Sequence, residues 1–189
     1  MKSFTRRKFL LTSASLPIVS CASTSQIIKP LKTKNQINAD VANSINIMRS
    51  EIPGSVDLEK ESYGMLIIPN ITEANFWLGG AYGEGALLIG DAIVQYFNMA
   101  QASFGLKIGA QQYSHALFFM SAVSLKEFRS SDGWSAGADA EYVMAENSGW
   151  IGEKTVKPAT DVIGLIFDRS GATIGGSLEG AKYSPLYKN

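Results

Sequence analysis

The chain has 189 residues, of which 46% are hydrophobic, and it carries 17 basic and 17 acidic residues. This length allows one domain with a sizeable core, and the hydrophobic content is too low for a protein with many membrane spans. Residues 1–20 hold four of the basic residues and no acidic one, so the remaining chain is mildly acidic. An acidic chain is poorly suited to binding nucleic acid, and a single cysteine excludes an intramolecular disulfide or a cysteine-based zinc site.

Residues 1–20 are typical of an export signal. A basic segment containing Arg6 and Arg7 precedes an apolar run that is too short to span a bilayer as a helix. The motif TRRKFL at residues 5–10 resembles the twin-arginine export signal, and general secretory export is the alternative. The motif IVSC, which ends at Cys21, resembles the bacterial lipobox, in which the cysteine becomes the lipidated N-terminus of the mature protein.

These motifs predict a lipoprotein whose partner is a membrane, reached through acyl chains such as palmitate on Cys21. Several chains on one cysteine would anchor it firmly. Ala22 follows the cysteine, whereas an aspartate there would favour the inner membrane, so we expect a periplasm-facing anchor in the outer membrane. Residues 21–35 predict a polar tether. Its Lys32 and Lys34 could lie on anionic head groups, and a solvated linker is the alternative.

Residues 36–189 predict a single domain that begins with an amphipathic helix. Its apolar residues recur every three or four positions: Ile37, Val41, Ile45, Met48 and Ile52. Such a stripe is typical of a helix that covers a core, and contact with a membrane is the alternative. We expect a second helix from Ser55, as N-cap, to about Tyr63, and then a short buried strand at 65–68 that ends at Pro69.

Alternating side chains predict a sheet in the rest of the chain. The expected strands are 76–82, 85–89, 92–98, 100–111, 113–121, 136–145, 162–167 and 172–178, with turns at 90–91 and 168–171, a helix at 123–129 and a surface loop at 147–160. Small residues at alternate positions from 79 to 85 (Gly79, Ala81, Gly83 and Gly85), together with Gly105 and Gly109, indicate strong curvature. The predicted fold class is α+β: a mainly antiparallel, strongly curved or partly closed sheet with N-terminal helices and one mid-chain helix.

The sequence shows no catalytic signature. The only histidine, His115, follows Ser114, and neighbouring strand residues point to opposite faces, so these two side chains should not pair. The scattered carboxylates have no spacing typical of a metal site: Glu84, Asp139, Glu141, Asp161, Asp168 and Glu179. We therefore expect no metal, no cofactor and no enzyme activity, and a hydrolase that uses two carboxylates is the less favoured alternative.

Several motifs resemble the SYLF domain family. They are YGMLIIP at 63–69, GGAYGEGALL at 79–88, ASFGLKIGAQ at 102–111, LFFM at 117–120, DGW at 132–134, GADA at 137–140 and GSLEG at 176–180. The resemblance implies a lipid-binding domain. Eukaryotic members bind phosphoinositides through an amphipathic helix and basic residues and take part in actin and membrane dynamics, whereas many bacterial members are exported proteins or lipoproteins. The helix here has only Arg49 as a basic residue.

We therefore expect a membrane-anchored lipoprotein whose non-catalytic domain binds lipid, such as a phospholipid, or another amphiphile. The candidate lipid-contacting residues are Lys32, Lys34, Ile37, Val41, Ile45, Met48 and Lys107. Lys107 lies on the sparsely covered face of the alternating strand at 100–111. The alternative function is a structural or interaction module of the cell envelope that docks a protein on that face.

Overall fold

A computed structural model describes residues 32–76, 78–104, 109–135, 142–145, 161–171 and 180–187. The predicted leader with Arg6, Arg7 and Cys21 lies outside the described residues, as does Lys107. The predicted strand at 172–178 and the predicted loop at 147–160 also lie outside them. All contacts discussed below are within the compact unit that begins at Lys32.

The described residues form three helices and one curled sheet of eight strands. The helices are α1 (Lys34–Glu51), α2 (Ser55–Glu61) and α3 (Ala122–Ser130). The strands are β1 (Gly64–Phe76), β2 (Leu78–Ile89), β3 (Ala92–Phe104), β4 (Gly109–Phe119), β5 (Trp134–Ser135), β6 (Tyr142–Ala145), β7 (Val162–Gly171) and β8 (Lys182–Leu186). Their order is β5-β8-β3-β2-β1-β4-β7-β6, and every pair is antiparallel except β6 with β7. The predicted α+β class is confirmed.

Helix α1 covers one face of the sheet, which we call the α1 face. The helix begins with a capping box, because Gln36 N donates to Thr33 Oγ1 and Thr33 N donates to Gln36 Oε1. Its buried side chains, Ile37, Val41 and Met48, pack on aliphatic and aromatic residues of β1, β2, β4 and β7. Each fully buried side chain of this kind stabilises the fold by roughly 1.5–3 kcal/mol. The stripe therefore covers a core, which is the first of the two interpretations that the sequence allowed.

The opposite face of the sheet, the aromatic face, is covered by α3. Ser121 caps this helix by accepting a hydrogen bond from Ser124 N at 3.1 Å. The helix places Phe128 with its ring centroid 4.7 Å from those of Phe97 and Phe119 and 5.5 Å from that of Trp134. Side chains of seven strands contribute to this core, among them Leu66, Ile68, Leu117 and Tyr183.

Glycines of β2 allow the close approach of β1 to β2. A Cβ on Gly85 would lie 1.9 Å from the Ile67 carbonyl oxygen, and one on Gly83 would lie 2.6 Å from Ile68 Cγ2. The pairing of β1 shifts register at this point with both of its neighbours, which is a β-bulge that bends the sheet. The interpretation of the glycine alternation as a determinant of curvature and close approach is consistent with this geometry.

Strands β1 and β7 run past positions where the sequence analysis placed an end or a turn. The strand expected to end at Pro69 continues to Phe76, because Asn70 takes a positive φ of 54° and absorbs the bulge. The turn expected at 168–171 is likewise part of β7, with a positive φ of 54° at Asp168. In both places a residue typical of turns serves as a bulge inside a longer strand.

The other strand predictions need correction in number and extent. The segment expected at 76–82 begins at the last residue of β1, Phe76, and its residues from Leu78 onward form one strand, β2, with the segment expected at 85–89. The strand expected at 100–111 is two, since residues up to Phe104 pair with β2 and residues from Gly109 pair with β1. The strand expected at 136–145 is described only at Tyr142–Ala145, and β8 was not predicted.

The expected N-cap of α2 is also wrong. Gly54 occupies the cap position, and Ser55 is the first helical residue. Ser55 is fully buried, and its hydroxyl has no hydrogen-bond partner among the described residues. The hairpin turn at Gly90 is confirmed, with a φ of 59° that favours glycine.

A candidate amphiphile-binding groove

A groove of about 450 Å³ lies where α1 and α2 meet the start of β1 and the turn between β2 and β3. Ile45, Val56, Met65 and Leu88 supply its apolar lining, which we call the floor. Four charged residues also line the groove, and we call them the rim: Arg49, Glu59, Lys60 and Asp91. An apolar floor with a few charged groups at its edge is typical of a site for a small amphiphilic ligand.

Local sequence features place these side chains together. Ile45 and Arg49 are four residues apart and therefore lie on the same side of α1. Pro53 ends α1, and α2 then begins at Ser55, so Val56, Glu59 and Lys60 come back beside it.

An ion pair joins the two helices across the groove. The Arg49 guanidinium donates from Nη2 to Glu59 Oε2 at 2.6 Å and from Nε to Glu59 Oε1 at 3.1 Å. This hydrogen bonding raises the pKa of Arg49, and the charges of Glu59 and Asp91 act in the same direction, while partial burial opposes them. The Glu59 side chain is only 14% exposed, so its carboxylate depends on Arg49 for compensation.

The other two rim charges have weaker partners. Lys60 Nζ lies 3.5 Å from Asp57 Oδ1, and both side chains are more than two-thirds exposed, so this pair contributes little to stability. Asp91, in the turn after Gly90, is exposed and makes no hydrogen bond or close ion pair among the described residues. Lys60 and Asp91 are therefore the two rim groups open to a ligand.

The groove contains one of the predicted lipid-contacting residues, Ile45. The Ile37, Val41 and Met48 side chains are buried on the α1 face, so a lipid could touch them only if α1 left the sheet. Lys34 is exposed on the first turn of α1. Lys32 is tied to the domain, since its Nζ lies 2.5 Å from Asp40 Oδ2 and its backbone N donates to Glu84 Oε2 at 3.2 Å.

The sequence did not predict most of the groove. Val56, Lys60 and Asp91 belong to a short helix and a turn that carry no motif of their own. The one available signal was Arg49, which follows Ile45 by one turn on the amphipathic helix α1.

The carboxylates that the sequence offered for hydrolysis do not converge on one point where the structure describes them. Glu84 lies on β2 and Asp168 on β7, and β1 and β4 separate these strands in the sheet. Glu84 accepts a hydrogen bond from the Tyr82 hydroxyl at 3.0 Å, and burial together with this carboxylate raises the pKa of Tyr82 to about 12. Asp161 is exposed before β7, while Asp139, Glu141 and Glu179 lie outside the described residues. Within the described ranges no three metal-ligating side chains cluster.

Ser114 and His115 point to opposite faces of the sheet, as predicted. Ser114 Oγ accepts from Asn70 N at 3.2 Å and lies 3.4 Å from Asp168 Oδ2, so it joins the bulges of β1 and β7. His115 is fully buried on the aromatic face, where its Nε2 lies 3.1 Å from the Tyr183 hydroxyl. Burial lowers the pKa of His115 to about 3, so the ring is neutral at physiological pH.

Further along β4, the aromatic face buries a polar contact. Gln111 Nε2 donates to Glu73 Oε2 at 2.5 Å, and both side chains are buried. The nearby Tyr113 hydroxyl has no hydrogen-bond partner among the described residues, and burial and the Glu73 charge raise the pKa of Tyr113, although the charge of Arg169 lowers it. No sequence motif indicated this contact.

In the part of the chain that the structure describes, no helix is both long and apolar enough to cross a membrane. A scan against models of protein families finds no match for the chain, and a search of curated proteins finds no significant relative. The resemblance to the SYLF domain family therefore stays a prediction from the sequence motifs.

Proposed function

We propose that the protein is a lipoprotein anchored through Cys21, facing the periplasm from the outer membrane, whose domain binds lipid or another amphiphile without catalysis. The groove carries this proposal. Its apolar floor can take part of an acyl chain out of water, and its charged rim lies where a polar head group would emerge. The lipobox-like motif and the resemblance to the SYLF domain family support the same function.

An anchored lipid-binding domain gains from its tether. Because the acylated cysteine would hold the domain near a bilayer, the effective lipid concentration at the groove would be high even for weak binding. Lys34, on the first turn of α1 and next to the predicted tether, is exposed and could rest on anionic head groups, which adds on the order of 1 kcal/mol near such a surface. The alternative protein-docking role relies on the face around Lys107, outside the described residues, and has no separate support.

Filling the groove should weaken lipid binding. The protein would be the mature chain from residue 21 with Cys21→Ser, which keeps the whole compact unit that begins at Lys32. Val56→Trp places a large side chain in the groove, and Val123→Trp makes the same change at a 62% exposed position on α3. Calorimetric titration with dihexanoyl phospholipids below their micelle concentration should show at least tenfold weaker binding for Val56→Trp and no change for Val123→Trp.

Two results would contradict this proposal. The first is a wild-type domain that binds no short-chain phospholipid, and the second is a folded Val56→Trp variant, judged by its unfolding curve, that binds as well as wild type. The anchor has its own test, because the full chain with Cys21→Ser should appear in the soluble fraction of cells while the unaltered chain stays with membranes. Continued membrane retention would show that acylation is not the sole anchor.

A further inference from the structure

The groove rim carries two positive and two negative charges, but they differ in how free they are to contact a ligand. The bidentate pair of Arg49 with Glu59 occupies one charge of each sign. The charges left to a ligand are the Lys60 ammonium, which has only a weak exposed partner, and the Asp91 carboxylate, whose charge acts on Arg49 but which makes no hydrogen bond or close ion pair among the described residues. Both line the same groove.

A purely anionic head group fits this rim poorly. It would gain Lys60 but would approach the carboxylates of Asp91 and Glu59. Taking Arg49 away from Glu59 would leave a carboxylate that is 14% exposed without its compensating charge, and that is costly. A purely cationic group would in turn meet Arg49 and Lys60.

We infer that the groove selects a zwitterionic head group with a primary amine, of the phosphoethanolamine type. The Asp91 carboxylate accepts hydrogen bonds from the ligand ammonium, and Lys60 donates to the phosphate. Each ligand charge then meets an available rim charge of opposite sign, and the Arg49–Glu59 pair stays intact. A primary ammonium offers hydrogen-bond donors that a quaternary ammonium lacks, so the amine is preferred to choline. This inference rests on the proposed amphiphile-binding function.

Short-chain lipids that differ only in the head group test this inference. The mature chain with Cys21→Ser would be titrated with dihexanoyl phosphatidylethanolamine, phosphatidylcholine and phosphatidylglycerol, and with uncharged dihexanoylglycerol. We expect phosphatidylethanolamine to bind at least tenfold more tightly than phosphatidylglycerol. Asp91→Asn should remove most of that difference. Glu127→Gln deletes an exposed carboxylate on α3, outside the groove, and should leave the difference unchanged.

The outcomes separate the two proposals. If all four lipids bind equally, if phosphatidylcholine binds as tightly as phosphatidylethanolamine, or if phosphatidylglycerol binds best, the head-group inference fails and the amphiphile-binding function stands. If Asp91→Asn keeps the full preference for phosphatidylethanolamine over phosphatidylglycerol, Asp91 does not bind the amine and the inference also fails. If no lipid binds, the proposed function itself fails.

Discussion

The two faces of the sheet are covered in different ways. The α1 face is covered by one long helix whose aliphatic side chains fit a largely aliphatic surface, in a contact formed by elements that are far apart in sequence. The aromatic face is covered by a helix half that length, and a single residue of that helix, Phe128, contacts three other rings of the aromatic cluster. The aromatic face also buries polar groups, including His115 and the Glu73–Gln111 contact, and the α1 face buries Glu84 and Ser114.

This difference determines how strongly each face depends on a single side chain. On the α1 face, the loss of one aliphatic side chain leaves the rest of the stripe in place. On the aromatic face, Phe128 is the large fully buried side chain of α3, and Leu125 packs only partly against the core, so truncation of Phe128 removes the largest apolar contact of the helix. The groove, in turn, lies at the margin of the α1 face, where the cover passes from α1 to α2.

Truncation of Phe128 should give the largest loss of stability. Phe128→Ala should lower the free energy of unfolding by about 4 kcal/mol, because large-to-small changes of a buried phenylalanine cost about 3–5 kcal/mol. Met48→Ala on the α1 face should cost about 2–4 kcal/mol, and Val123→Ala on the exposed side of α3 should cost less than about 0.5 kcal/mol. Urea unfolding of the three variants measures these losses of stability. An equal loss for Phe128→Ala and Val123→Ala would contradict the central place of Phe128 in the aromatic core.

Acid should weaken the aromatic face through its one histidine. The folded protein holds the pKa of His115 at about 3, below the usual value of 6.5, so between these pH values the unfolded chain binds a proton that the folded protein does not. The free energy of unfolding should therefore fall by about 1.4 kcal/mol per pH unit as the pH drops below 6.5, relative to a chain without the histidine. Stability curves of wild type and His115→Gln should converge as the pH falls, and parallel curves between pH 6.5 and 4.5 would contradict the prediction.

The sequence predicted those elements whose signal is local. The period of the apolar stripe gave α1, and Gly90 gave the hairpin between β2 and β3. The opposite orientations of Ser114 and His115 followed from strand geometry alone. These features depend on neighbours within a few residues, which is the range that periodicity reports.

Other features depend on partners that periodicity does not report. Pro69 and Asp168 are typical of strand ends and turns, yet both lie within strands. Each lies at a register shift of its own strand, β1 or β7, against β4, and this bulge accommodates it. The groove could not be predicted either, since it needs the β2–β3 turn beside α2. These two elements are far apart in the chain, and sequence spacing does not specify that they line one groove.

The strand order has a consequence for how the chain folds. Strands β1, β2 and β3 pair in succession through short connections, so they can form a meander from local contacts. Strand β4 must instead return across two strands to pair with β1, at separations that reach from Gly64 to Phe119. Closing that long loop costs entropy before its contacts form, so we expect the meander to form first and β4 and β7 to join later. Until then the edge of β1 is unpaired, and this makes the partly folded chain most prone to wrong strand pairing at that edge.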